Sequence, residues 1–268
     1  MPSFRFPTYF LSHGGGPWPW LKREMPFYEE LERSLVQVRA DLPATPKAVL
    51  VISGHWEEDD FTVTASPQPP MVYDYGGFPD FTYKIQYPAP GDPGLASEVQ
   101  QLLEDAGLTS KIDYERGFDH GTYTILYLMF PNADVPVIQL SLRRDYDPEA
   151  HLRAGRALAV LRDKGVMIIG SGFSFHNLRE LRASSTVFEP ARAFDEWLNN
   201  TMKAPPAERT QFLKNWLSEA PNPRLAHPVE EHFIPLMVAL GAAENDQVIR
   251  VYHEMFMGRF QCSSFRLG

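Results

Sequence analysis

Cysteine is almost missing from this chain. Cys262 is the only one among 268 residues, so no internal disulfide can form. Long apolar runs are missing as well: none approaches the roughly 20 residues that a membrane helix needs, and the N-terminus lacks the basic segment and apolar core of a secretory signal. Positive charge is the minority sign, with 25 Lys and Arg against 34 Asp and Glu and a formal net charge of −9. Without a Lys/Arg cluster there is no electrostatic footprint for nucleic acid. Repeats, low-complexity tracts and linkers are also absent. These absences together point to a cytoplasmic protein that acts on small molecules, with no nucleic acid and no membrane as partner. At 44% hydrophobic, residues 1–268 can bury a full core as one domain.

What is present is an alternation of apolar runs with helical periodicity. Residues 47–53, 135–142 and 165–171 are short β-branched runs of the kind that form buried strands. Residues 61–65, 83–87 and 248–254 are further strand candidates, and Tyr9-Phe10-Leu11 is another. Helical spacing covers 26–40, 92–107, 148–164 and 188–203, and Asp92 followed by Pro93 reads as an N-cap and first turn. The pattern predicts an α/β fold in three layers, a central mixed sheet flanked by helices. Residues 66–80, rich in Pro, Gly and Tyr, read as an ordered functional loop.

Five histidines stand where such runs end: His13 before three glycines, His55 after Val-Leu-Val-Ile-Ser-Gly, His120 in Gly-Phe-Asp-His-Gly, His176 after a Gly-Ser-Gly strand end, and His232 after two glutamates. Strand ends of an α/β sheet converge on one edge, and neutral imidazole is a versatile metal ligand, so the five read as one mononuclear site. His151 and His253 lack this context and read as ordinary core or surface residues. His232 is assigned to a helical stretch over 228–240, and its spacing from His227 does not match the zinc-protease helix. His120 precedes an apolar helix over 123–130 and reads as either its cap or a site residue. Such a set serves an iron(II) oxygenase with a facial triad or a zinc hydrolase with three histidines and a water. Residue types alone do not separate the two.

The blocks Ser12-His-Gly-Gly-Gly-Pro17, Ser53-Gly-His-Trp-Glu57, Tyr75-Gly-Gly-Phe-Pro79, Tyr87-Pro-Ala-Pro-Gly91, Gly117-Phe-Asp-His-Gly121, Gln139-Leu-Ser141, Gly170-Ser-Gly172 with His176-Asn-Leu-Arg179, and Glu231-His-Phe-Ile-Pro-Leu236 resemble the 4,5-DOPA extradiol dioxygenase family. That family belongs to the class III extradiol ring-opening superfamily. The resemblance implies an enzyme that opens a catechol with dioxygen at one non-haem metal. It implies His13, His55 and His232 as metal ligands, His176 as base or additional ligand, and His120 as a second acid/base. Fe(II) is the metal expected for ring cleavage, and Zn(II) also fits. The protocatechuate branch uses a glutamate where His232 stands; adjacent helical positions point about 100° apart, so one of Glu231 and His232 is expected to face the metal. Trp18, Phe175 and Tyr123 are candidates for the wall of a slot that takes the substrate ring. The alternatives are a zinc hydrolase or amidase on the same scaffold and a non-catalytic binding protein of this fold.

Overall fold

The computed structural model describes residues 5–181 and 186–268, apart from the side chain of Leu181. Residues 1–4 and 182–185 of the 1–268 span therefore lie outside what is described. Eight strands form one sheet: β1 (Thr8–Ser12), β2 (Ala48–Glu58), β3 (Phe61–Thr64), β4 (Ser110–Asp113), β5 (Val137–Arg143), β6 (Val166–Gly172), β7 (Val248–Phe256) and β8 (Phe260–Leu267). Their spatial order is β4-β3-β5-β2-β6-β1-β8-β7. The four central strands run parallel, and an antiparallel neighbour begins each flank, β3 against β5 and β8 against β1. Val49 to Ile52 of β2 and Met167 to Ile169 of β6 are fully buried, which explains why these strands read as unbroken apolar runs rather than alternating ones.

Helices cover both faces. On one side lie α1 (Glu29–Ala40) and α3 (His120–Met129); on the other lie α2 (Pro93–Asp105), α4 (Pro148–Leu158) and the helix Pro235–Gly241. The helix starts follow capping chemistry: Asp92 accepts from the Leu95 N–H, Asp119 from Thr122 and Asp147 from Glu149. Asp119, not His120, is the cap of α3, so His120 occupies the first helical position. None of the described helices is long and apolar enough to cross a membrane.

Register explains why the histidines meet. Leu11 of β1 and Ser53 of β2 both pair with Ser171 of β6, which lies between them. His13 and His55 each stand two residues beyond that row, at one height on one edge of the sheet. Ser171 is small and admits the first turn of α3, whose Gly121 carbonyl accepts its hydroxyl. On the opposite face, glycine admits a backbone: a Cβ on Gly172 would lie 2.1 Å from the His232 carbonyl oxygen, and one on Gly54 would lie 2.9 Å from that of Glu231. The turn carrying His232 thus lies directly on the sheet.

Three expectations change. The helix assigned to 228–240 begins only at Pro235; Pro235 has no N–H to give the Glu231 carbonyl, and it serves instead as a first-turn residue. Glu231 and His232 consequently sit on a turn, and both side chains face the site. The strand assigned to 83–87 is instead a 3₁₀ turn, Asp80–Lys84, followed by irregular chain. There the hydroxyls of Tyr73 and Tyr75 donate to the carbonyls of Ile85 and Thr82, replacing a sheet ladder. Finally, β4 and β8 join the sheet without having been anticipated. In β8 the buried side chains include Ser263 and Ser264, satisfied by Asp195 and Ser12, so apolar alternation does not reveal the strand.

Gly172→Ala should push the His232 turn off the sheet. The expected cost is about 1–3 kcal/mol, the usual range for overpacking, with weakened metal binding, measured by chemical denaturation and metal titration. Wild-type stability and affinity in the variant would mean that the contact is not constraining.

Candidate metal centre

His13 extends β1, with its N–H on the Gly172 carbonyl at 3.2 Å. Its own carbonyl accepts the Trp18 indole N–H at 2.7 Å. His55 lies within the long strand β2. His232 is fixed through its carbonyl, which accepts the Phe173 N–H at 2.9 Å. These three rings turn their Nε2 atoms towards one another: His55 Nε2 is 3.0 Å from His13 Nε2 and 3.1 Å from His232 Nε2.

The outer nitrogens reveal which tautomers are present. Ser171 gives its single hydroxyl hydrogen to the Gly121 carbonyl, so it can only accept from His13 Nδ1, 3.0 Å away. His232 Nδ1 is 2.9 Å from Glu231 Oε1. His55 Nδ1 faces Asp74 Oδ2 at 3.3 Å. An ionised carboxylate cannot donate and repels a facing lone pair, so each ring carries its hydrogen on Nδ1, bonded to Ser171 from His13 and to Glu231 from His232 and turned towards Asp74 from His55, and leaves Nε2 bare. Protonation of the rings is also opposed. Burial, and then the charges of the neighbouring histidines, hold His13 and His232 well below the ordinary histidine pKa. Burial and His120 bring His55 down to about 3, against the opposing pull of Asp74 and Glu231.

Three bare lone pairs, with that of His55 about 3 Å from each of the other two, repel unless a cation lies among them. Two nitrogens held about 2.1 Å from one ion at right angles would be about 3.0 Å apart, which is the spacing found. The donor set fits a mononuclear metal of the kind that imidazole favours.

The other two histidines border this centre. His120 Nδ1 and N–H lie 2.9 and 3.0 Å from Asp74 Oδ1, and its ring is 4.0 Å from that of His55. His176 stacks on His232 with centroids 3.4 Å apart, and its Nδ1 is 3.2 Å from Glu231 Oε1. All five site histidines named from the sequence are thus gathered at one edge. His151 is instead a core residue accepting from the Arg143 N–H, and His253 is a partly exposed partner of Asp195.

Sequence reasoning passed over Asp74, although it lies in the 66–80 loop marked as functional, and Ser171, a small residue with no signal of its own. Asp119 is a further organiser: fully buried, it accepts from Ser53, Gln139 and Arg116 while capping α3. Burial, reinforced by the charge of Asp74, raises its pKa. Of the three wall candidates, Phe175 lines a small cavity of about 60 Å³ beside His176, together with Gly14, Gly15 and Phe173. Trp18 is buried against Tyr28 beneath His13, and Tyr123 donates to the Tyr75 hydroxyl at 2.9 Å. On another side, a concavity of about 680 Å³ opens past His55, His232, Glu57 and Arg144.

Burial of neutral histidine fixes a pH dependence. His13, His55 and His232 have folded pKa values below 6.5, as do His227 at about 3 and His151 at about 4, both lowered chiefly by burial. Below about pH 6.5 the unfolded chain therefore binds more protons than the folded one, and stability falls as pH falls. The melting temperature of metal-free protein should drop steadily from pH 7 to pH 5. A flat or rising profile would contradict the neutral assignment.

Residues 7–263 match the family model described as the catalytic LigB subunit of aromatic ring-opening dioxygenase. The chain is 40% identical over 253 residues to the 4,5-DOPA dioxygenase extradiol of Beta vulgaris, covering 94% of this chain and 92% of that protein. It is 36% identical to the protein of the same name from Escherichia coli strain K12, over 100% of this chain and 97% of the other. Among solved structures, an uncharacterized protein of Escherichia coli K12 superposes with a TM-score of 0.79 at 31% identity, covering 98% of this chain and 100% of that one.

Proposed function

The chain belongs to the family of the catalytic LigB subunit of aromatic ring-opening dioxygenases and is an extradiol ring-cleaving enzyme; on that premise we propose that His13, His55 and His232 hold its metal and that a catechol is the ring it opens. The convergence of three bare Nε2 atoms supports this reading above all else. We take the whole chain as one catalytic unit. The relatives' name makes DOPA a first substrate to try, and Fe(II) is the metal proposed for the native enzyme. When bound, Fe(II) supplies Lewis acidity that lowers the phenolic pKa and the redox chemistry that activates dioxygen.

The chain's own side chains do the rest. His176 and His120 stand on two sides of the three-histidine centre, in reach of groups bound there, and we assign them to proton transfer. His176 has half of its environment fixed by the stack on His232 and by Glu231. It takes a phenolic proton on Nε2 and can return it later; a ligand role is the alternative outcome of its replacement. Phe175, with the backbone of Gly14 and Gly15, forms the apolar wall against which a ring packs. Trp18 and Tyr123 act from beneath, Trp18 by holding the His13 carbonyl and Tyr123 through Tyr75. Both are packed too deeply to form the first wall.

His55→Ala should lose stoichiometric metal, read by metal analysis after dialysis; a full equivalent at wild-type affinity would remove His55 from the ligand set. His176→Ala should keep the metal and lose turnover by about 10²- to 10⁴-fold, the usual worth of a positioned proton transfer. Loss of metal in that variant would make His176 a fourth ligand.

Substrate choice tests the reaction itself. With Fe(II) and air, DOPA, caffeate or a related catechol should consume oxygen and give a yellow ring-opened product. The mono-methylated analogue, which has one hydroxyl and one removable proton fewer, should give none. Zn(II)-loaded protein that hydrolyses an ester or amide, with the iron form inert towards every catechol, would favour a hydrolase instead.

A further inference from the structure

Two carboxylates from unrelated segments repeat one arrangement. Asp74, from the 66–80 loop, faces His55 Nδ1 with Oδ2 at 3.3 Å and His120 Nδ1 with Oδ1 at 2.9 Å. Glu231, from the turn before the helix Pro235–Gly241, faces His232 Nδ1 at 2.9 Å and His176 Nδ1 at 3.2 Å, both through Oε1. Each carboxylate therefore joins one histidine assigned to the metal with one assigned to proton transfer. Both acids are largely withdrawn from solvent, with side chains 19% and 17% exposed.

We propose that Asp74 and Glu231 are positioning residues forming two clamps, each fixing the Nδ1–H tautomer of a metal-holding and a proton-transferring histidine at once. The roles of the four rings are those proposed above. A carboxylate has no hydrogen to give and repels a facing lone pair, so each ring keeps its hydrogen on Nδ1: His120 and His232 donate it as hydrogen bonds, His55 and His176 turn it towards the carboxylate at 3.3 and 3.2 Å, and all four are left with a bare Nε2. For His55 and His232 that lone pair is what a metal requires. For His120 and His176 it is what a base requires. When a phenolic O–H breaks, the proton forms an N–H bond at Nε2, the electron pair stays on oxygen, and the new imidazolium faces the clamp's carboxylate at Nδ1. A catechol has two such protons, and the site has two such rings.

The two oxygens of Asp74 have unequal duties, which sharpens the test. Oδ1 also accepts the His120 backbone N–H at 3.0 Å. In Asp74→Asn the amide oxygen must stay on that N–H, so the NH₂ turns to His55 and demands that His55 Nδ1 accept. His55 would then carry its hydrogen on Nε2, where the metal should bind.

The experiment is ¹⁵N-histidine NMR on metal-free full-length protein, in which no metal bond dictates the tautomer, for wild type, Asp74→Asn, Asp74→Ala and Glu231→Ala, with Zn(II) affinity measured in parallel. Wild type should show Nδ1–H on His55, His120, His176 and His232. Asp74→Asn should shift His55 alone and weaken metal binding by about 10- to 100-fold, the usual effect of removing a ligand's supporting partner. Asp74→Ala should release both His55 and His120, and Glu231→Ala should release only His176 and His232. Nε2–H signals from these rings in wild type would overturn the proposal, as would Asp74 variants with unchanged His55 and His120. These signals need no turnover. A wild-type enzyme inert towards catechols would count against the proposed reaction while leaving the clamps to be decided by the spectra.

Discussion

Mutual repulsion among three imidazole lone pairs is the constraint around which this protein is organised. His13 and His232 are buried and His55 is partly so; all three are held neutral and turned so that His55 Nε2 lies 3.0 and 3.1 Å from the Nε2 atoms of the other two. Without a cation that arrangement is unfavourable, because each ring has already committed its hydrogen outward to Ser171, Asp74 or Glu231. The fold must therefore hold the three rings in place against their own repulsion. It does so with rigid elements, two parallel strand ends and a turn pressed onto the sheet, which keep the donors preorganised for an ion.

Much of the surrounding structure is explained by that demand. The small residues of β6 admit the Gly121 backbone on one face and the His232 backbone on the other. Asp119, buried between Ser53, Gln139 and Arg116, fixes the start of α3 and with it His120. Trp18 occupies the core beneath His13 rather than the surface of the site. Fold and chemistry meet on the same few backbone positions, and a change in packing there is also a change in the metal site.

The elements that read clearly in the sequence are those whose burial is simple. The unbroken apolar runs of β2, β5 and β6 and the starts of α2 and α4 lie close to where periodicity and, for α2, the Asp92-Pro93 pair put them. The histidines were legible because each closes such a run. The turn around Glu231 and His232 was not, because its apolar neighbours from Phe233 to Leu240 mimic an amphipathic helix and only Pro235 marks the break. Asp74 was hidden for a different reason: a lone aspartate among tyrosines and glycines has no periodic signature, and its partners are 46 and 19 residues away in sequence. Buried serines likewise concealed β8. Long-range pairing of polar groups is what a single sequence expresses least.

In the proposed centre three histidines form the protein's contribution to one metal, and the carboxylates of Asp74 and Glu231 stay outside, against the Nδ1 atoms. X-ray absorption spectroscopy of the Fe(II)-loaded enzyme tests it most directly, since imidazole rings produce a characteristic outer-shell scattering pattern. Three imidazole nitrogens at about 2.1 Å are expected, with the remaining ligands being light oxygen atoms from solvent. A spectrum fitted by two imidazoles and a carboxylate oxygen would place Glu231 or Asp74 on the metal and contradict it.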